Sequence, residues 1–381
     1  MNNKKNYKKG TRKEINELIH MCGIIPEKSL KYIGDKNYRV MRMKIRQMIN
    51  EGVLEYKKRK GLPRAIVLCE NGKDRDRCEE SLPAKLAEFY KNFGKTDSKR
   101  YQYSTTPGAA ERVFYNSDTM IFMHGCGIKM LATEKEGLLK KLGEEALYYT
   151  SREIKNGIGY KADVIEKEDS VNVNSSRLRG LVLSQGGAYG IYRLPTLTSY
   201  SQNGEYKMKL YLDKIVREKM GNGEELKEAV IIADNDRKEI IENLIKAEKQ
   251  NVKYRFESME FVYKSIYGIP ADEIGQQMMK LFTVNNWKKK IIDSFGLPDD
   301  DNRKGVACDG ADGERYYYVY CVPDIKRFRK FLARAEVEND RNRFVVICFD
   351  WQVEAVKKIA GRVVRIKSVP FAEYMAEMNL I

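Results

Sequence analysis

Histidine is nearly missing from this chain, with only His20 and His124 among 381 residues, and no Cys-x-x-Cys pair occurs. A zinc site would therefore have to gather ligands from distant places, and a short pairing such as His124-Gly125-Cys126 does not make one alone. A disulfide framework is excluded as well. The seven cysteines, at 22, 69, 78, 126, 308, 321 and 348, are odd in number, scattered, and mostly set in apolar patterns such as Val346-Ile347-Cys348-Phe349. That is how reduced core cysteines look, and a cytoplasmic location is expected. No apolar run approaches the ~20 residues of a membrane helix, and Met1 to Lys9 is basic with no apolar segment beside it, so neither membrane insertion nor secretion is expected. What remains is a foldable chain, 42% hydrophobic and 10% aromatic, long enough for two or three cores.

Acid is scarce at one end. Residues 1–64 hold 18 Lys or Arg against 6 Asp or Glu, and 18 − 6 gives +12 of a total +16, leaving +4 for the other 317 residues. The basicity is local, the electrostatic footprint of a nucleic-acid-binding module.

The stretch Thr11 to Glu70 reads as that module. Thr11 can cap a first helix with Glu14 closing a capping box, and Ile15, Leu18, Ile19 and Cys22 form its buried stripe before Gly23 ends it. A second short helix is expected from Pro26, offering Leu30 and Ile33 before Gly34. The third opens after Asp35, with Tyr38, Met41, Ile45, Met48 and Ile49 along one side and Arg39, Arg42 and Arg46 along another, and Gly52 stops it. Val53 to Tyr56, the basic turn Lys57 to Gly61, and Ala65 to Leu68 then read as a hairpin. Three helices and a cationic hairpin are the order of a winged helix-turn-helix. In that order a helix enters the DNA major groove and the hairpin reaches the backbone. Tyr38, Arg39, Arg42 and Arg46 are expected to face base edges, and Lys57, Lys58, Arg59, Lys60 and Arg64 to meet phosphates.

Beyond residue 72 the pattern changes. Residues 73–108 read as a connecting helix (Ser81 to Phe93) and a linker, and residues 109–381 as an α/β domain, with room for a further division near 220–226. Ala109 to Asn116 begins a helix, Met120 to His124 reads as a short strand, and Lys135 to Leu142 as a helix. Leu181 to Ser184 and Ala188 to Tyr192 flank a glycine turn, a hairpin. Ahead of it, Ser175, Ser176, Arg177 and Arg179 could seat a phosphate or be a turn with exposed arginines. Ala229 to Ala233 is a strand covered on both faces, Arg237 to Lys249 a helix. Strands at 315–322, 344–349 and 362–366 then alternate with helices at 324–335, 352–359 and 371–378. The expected class is mixed α/β, with a mainly parallel sheet that is Rossmann-like or degenerate-nuclease-like.

Acidic residues fall at the ends of these strands: Asp234 and Asp236, Asp309 and Asp312, and Asp350. If Asp234, Asp236, Asp309 and Asp350 converged on magnesium, the chain would be a metal-dependent nuclease or strand-transfer enzyme. The spacing Asp234-Asn235-Asp236 resembles the acidic pair of Toprim domains, but the strand where a Toprim glutamate is expected ends in Ser184. A restriction-like nuclease needs an acidic-x-Lys, which Asp163 to Lys167 only approximates. Strand-end aspartates that cap the following helices account for the same positions.

Over its whole length the chain resembles the replication-relaxation-like proteins of Gram-positive plasmids and integrative elements. The fragments Ser176-Arg177-Leu178-Arg179-Gly180, Ile266-Tyr267-Gly268-Ile269-Pro270 and Ile347-Cys348-Phe349-Asp350 carry the likeness. The resemblance implies a DNA-binding accessory or regulator of element replication or transfer, and brings no catalytic motif. No cofactor is expected outside the magnesium alternative. The expected partners are double-stranded DNA, a second copy of the chain, and an element-encoded protein such as a relaxase or replication protein. An adaptor whose basic module is incidental is a third reading.

Overall fold

The structure is a computed structural model and describes residues 10–33, 38–69, 103, 105–130, 144–155, 176–194, 202–221, 223–234, 262–298 and 305–377. The chain divides into two compact units, residues 1–138 and 139–381, both mixing helices with strands. Among the described residues no helix is long and apolar enough to cross a membrane.

The first unit opens with α1 (Gly10–Cys22), whose Ile15, Leu18 and Ile19 are wholly buried. Strand β1 (Ile25–Pro26) and a 3-10 turn (Glu27–Tyr32) follow, where a second helix was expected. Pro26 is spent on the strand, and six residues suffice to bury Leu30 and Tyr32. Helix α2 (Tyr38–Asn50) buries Met41, Ile45 and Met48 at helical spacing. It stops in a glycine cap: Gly52 has φ +72° and Val53 N–H reaches back to the Met48 carbonyl at 2.9 Å. Strands β2 (Leu54–Lys57) and β3 (Ala65–Leu68) pair antiparallel, and β1 adds to β3, giving the order β1-β3-β2.

One helix then corrects two sequence expectations. α3 (Pro107–Gly125) runs unbroken through Met120 to His124, the segment expected as a strand. Residues 117–123 are all buried, so this part is apolar on every side and shows no helical stripe. Nor does α3 open the second domain at 109. It packs on the first unit, where Ala110 and Phe114 share a core with Ile24, Ala65 and Val67. Ser117 Oγ donates to the Cys22 carbonyl at 2.8 Å, and fully buried Asp118 accepts from Ser29 Oγ at 2.6 Å and from Lys28 Nζ at 3.1 Å.

The second unit holds two sheets. The larger has the order β4-β5-β6-β7-β8, from β4 (Leu147–Thr150), β5 (Gly180–Ser184), β6 (Gly187–Leu194), β7 (Glu228–Ala233) and β8 (Ser265–Pro270). Its first three strands are antiparallel neighbours and its last three parallel. Helix α4 (Ser151–Lys155) follows β4, α5 (Gln202–Met220) joins β6 to β7, and α6 (Glu273–Phe282) and α7 (Trp287–Ser294) follow β8. The smaller sheet, β12-β11-β10-β9, is made the same way. β9 (Gly310–Ala311) and β10 (Tyr316–Val319) are antiparallel; then α8 (Ile325–Glu338), β11 (Phe344–Phe349), α9 (Val353–Ala360), β12 (Arg365–Val369) and α10 (Phe371–Glu377) continue it in parallel. The expected single, mainly parallel sheet is thus two mixed ones, each beginning with antiparallel strands. Helix α5 and strand β7, on either side of 221–226, belong to the same compact unit, so no division falls there. The helices expected at 81–93, 135–142 and 237–249, the boundary at 71–77 and all but the end of the linker at 94–108 lie outside the described residues.

Buried phenols tie the larger sheet to its helices. Trp287 Nε1 donates to Tyr189 Oη at 2.8 Å, and Tyr189 Oη donates to the Phe282 carbonyl at 3.0 Å, joining β6 to the end of α6. The smaller sheet docks on β8 through Gly268 N–H, which donates to the Pro323 carbonyl at 3.2 Å. Asp324 caps α8 there, accepting from Lys326 N–H and Arg327 N–H.

Candidate nucleic-acid interface

Helix α2 carries four cations, Arg39, Arg42, Lys44 and Arg46, and no acidic residue over thirteen positions. Which of them face outward follows from the helix repeat. Met41, Ile45 and Met48 point inward, and at about 100° per residue the opposite stripe is Arg39, Met43, Arg46 and Asn50, flanked by Val40 and Gln47. Burial agrees: all six are exposed. Arg39 and Arg46 lie on that outward stripe, and Arg42 lies off it. It is half-buried on the flank, its guanidinium 5.5 Å from the Tyr38 ring centroid, within the field of Glu27. Val40, Met43, Gln47 and Asn50 were missed, although the phase of the buried stripe already pointed to them.

The hairpin cations divide in the same manner. Lys58 and Lys60 are exposed on either side of Arg59, and Gly61, at φ +77°, lets the turn close. Arg59 is turned inward: its Nε and Nη2 donate to the Tyr103 carbonyl at 3.2 and 2.7 Å, and its guanidinium covers the Tyr103 ring at 5.4 Å. Arg64 makes a two-pronged pair with Glu27 at 2.7 and 2.8 Å and lies 4.1 Å over Tyr56. The Arg64 guanidinium holds the Glu27 carboxyl below its usual range. Lys57 pairs with Glu55 at 3.3 Å. Of the five hairpin cations expected at phosphates, Lys58 and Lys60 are the two that reach solvent without such a commitment.

The strand-end aspartates each serve their own neighbourhood. Asp234 binds buried Arg193 at 2.5 Å. Asp309 accepts from Arg327 Nη2 at 2.6 Å and Val319 N–H at 2.8 Å, and Asp350 accepts from Trp351 N–H and Phe371 N–H. Asp312 shapes a turn through Glu314 N–H, Arg315 N–H and the Tyr317 hydroxyl. Asp236 and the Asp163 to Lys167 stretch lie outside the described residues. Among the described residues no group of three or more His, Cys, Asp or Glu side chains could hold a metal ion. His124 Nε2 is engaged with Glu14 at 2.6 Å, and the Cys126 thiol donates to the Phe122 carbonyl.

The serine-arginine stretch before β5 meets an anion, but an internal one. Ser176 Oγ and Arg177 N–H donate to the Glu205 carboxylate at 2.8 and 2.7 Å, and the Tyr192 hydroxyl donates at 2.7 Å. Ser175 is not among the described residues. Burial raises the Glu205 carboxyl above its ordinary 4.5 in spite of these donors. The folded protein then holds a proton that the unfolded chain has released, so stability falls as pH rises from 4.5 through the raised value. Glu205→Gln removes this term, and urea denaturation across pH 4 to 8 should lose part of its downward slope; an unchanged slope would assign it to other groups.

Comparison with protein-family models, with curated proteins and with solved structures finds no match for this chain.

Proposed function

We propose that this is a sequence-specific double-stranded DNA-binding protein whose reading module is a winged helix-turn-helix built from residues 10–69 and braced by α3. In this reading α2 enters the major groove and the turn between β2 and β3 is the wing. The observation that carries it is the acid-free helix α2, whose outward face presents Arg39 and Arg46, beside a hairpin tip that presents Lys58 and Lys60. Arginine at a base edge gives specificity, and lysine at a phosphate gives salt-dependent affinity. The protein acts in the cytoplasm. Its second unit is a platform for a second copy or for an element-encoded partner such as a relaxase or replication protein, and paired copies read paired half-sites. The likeness of Ser176 to Gly180, Ile266 to Pro270 and Ile347 to Asp350 to replication-relaxation-like proteins supports a role as accessory or regulator of element replication or transfer.

Footprinting on DNA from the protein's own genetic neighbourhood, with and without magnesium, tests this directly. A discrete protected site with no strand breaks is expected. Lys58→Ala and Lys60→Ala should each weaken binding to all sequences alike and lower the salt slope of log K by about 1. Magnesium-dependent cleavage, or a salt slope that ignores both lysines, would overturn the reading.

A further inference from the structure

Six large hydrophobic side chains are exposed among the described residues, and three of them, Tyr38, Val40 and Met43, lie within one six-residue stretch of α2. Val40 is 37% exposed and Met43 58%. They alternate with the cations of an acid-free helix. A surface of this kind suits a polyanion that offers apolar groups between its polar edges. The floor of the DNA major groove is such a surface, because every thymine projects its C5-methyl there beside the guanine O6 and N7 acceptors.

We infer that α2 reads thymine methyl groups through Val40 and Met43, between guanines read by Arg39 and Arg46. The inference rests on the DNA-binding reading above and adds what the site selects. Arg39 and Arg46 are seven residues apart, roughly 10 Å along a helix rising about 1.5 Å per residue. That spans about three base steps of ~3.4 Å, and Met43 falls between them on the same stripe. Tyr38 is set apart, since its ring carries the Arg42 guanidinium. The bound sequence therefore holds one or two thymines framed by guanines within a few base pairs. Double-stranded RNA is rejected by the same contacts, because its major groove is too deep and narrow for side chains to read and uracil lacks the methyl.

The test starts by enriching a duplex site from a random library with the full-length protein. Each thymine of that site is then replaced singly by deoxyuridine, which removes the methyl and keeps the hydrogen bonds. Affinities are measured by fluorescence anisotropy for the wild-type protein and for Val40→Ala and Met43→Ala, whose folding is checked by circular dichroism. The wild type should lose about fourfold at one or two thymines, the worth of one buried methyl group. In Val40→Ala or Met43→Ala the thymine and uracil duplexes should bind equally at the matching position. A tightly bound enriched site at which every uracil substitution is neutral overturns this inference and leaves DNA binding standing. Failure to enrich any site overturns both.

Discussion

Replacing Arg39 and Arg46 together by alanine should cost the protein its specific site while sparing most of its general affinity for DNA. Each arginine paired bidentately with a guanine discriminates by about 1–3 kcal/mol. The double variant should thus bind the protected site roughly thirty-fold to twenty-thousand-fold more weakly. Both side chains are exposed, so folding should be little affected. In the proposed reading Lys58 and Lys60 would still hold phosphates, and binding to unrelated duplex should fall far less. Arg42→Ala is the internal comparison: half-buried on the flank, it should cost only a fraction of that loss. Competition titration of specific against unrelated DNA separates the two terms, and a double variant that still prefers its site would remove α2 from the groove.

The largest loss of stability should come from a single methyl group in the second unit. A Cβ on Gly275 would sit 1.7 Å from the Pro270 carbonyl oxygen and 2.8 Å from its carbon. Both atoms are backbone, and neither can step aside. Pro270 is paired in register with Ala233, and Ala271 N–H is bonded to the Ala233 carbonyl at 2.9 Å. Gly275 N–H meanwhile donates to the Asp272 carboxylate at 3.1 Å, the N-terminal cap of α6. Gly275→Ala must lift α6 off the sheet or bend β8, at about 3 kcal/mol or more. Thermal unfolding should shift downward by roughly 6–12 °C. Gly108→Ala is the control, because a Cβ there meets nothing within 4 Å in the first turn of α3. It should be neutral or slightly stabilising. If both substitutions melt alike, the close approach of α6 to β8 is not what limits stability.

What the sequence disclosed depended on whether a residue's role was set locally. The buried stripe of α2 and the β2-β3 hairpin could be read because a helical repeat, two glycine turns and a period-two strand all lie within a few residues of one another. The hairpin from Gly180 to Leu194 was legible for the same reason. α3 was not, because residues 117–123 are surrounded by other elements and an all-round apolar run shows no period. The fate of Arg59 and Arg64 was equally hidden. Their partners, Tyr103 and Glu27, lie 44 and 37 positions away. The direction of β7 was legible, because an unbroken apolar run covered on both faces is typical of a parallel sheet, and β6 and β8 both run parallel to it. For the interface, the signal existed and was underused. The phase set by Met41, Ile45 and Met48 excludes Arg42 from the outward stripe and admits Met43 and Asn50.

The helix that completes the first unit arrives late. The core around Ile24, Ala65 and Val67 is finished only when Ala110 and Phe114 are made, and fully buried Asp118 has to find Ser29 far behind it in the chain. A ribosome adding about 5–20 residues per second needs several seconds to pass from the end of β3 to the end of α3. When the hairpin and α2 emerge, positively charged, the part of the core that α3 supplies is still to come. The same order in time means that a shortened message ending soon after the hairpin yields a fragment with its charge intact and its core open.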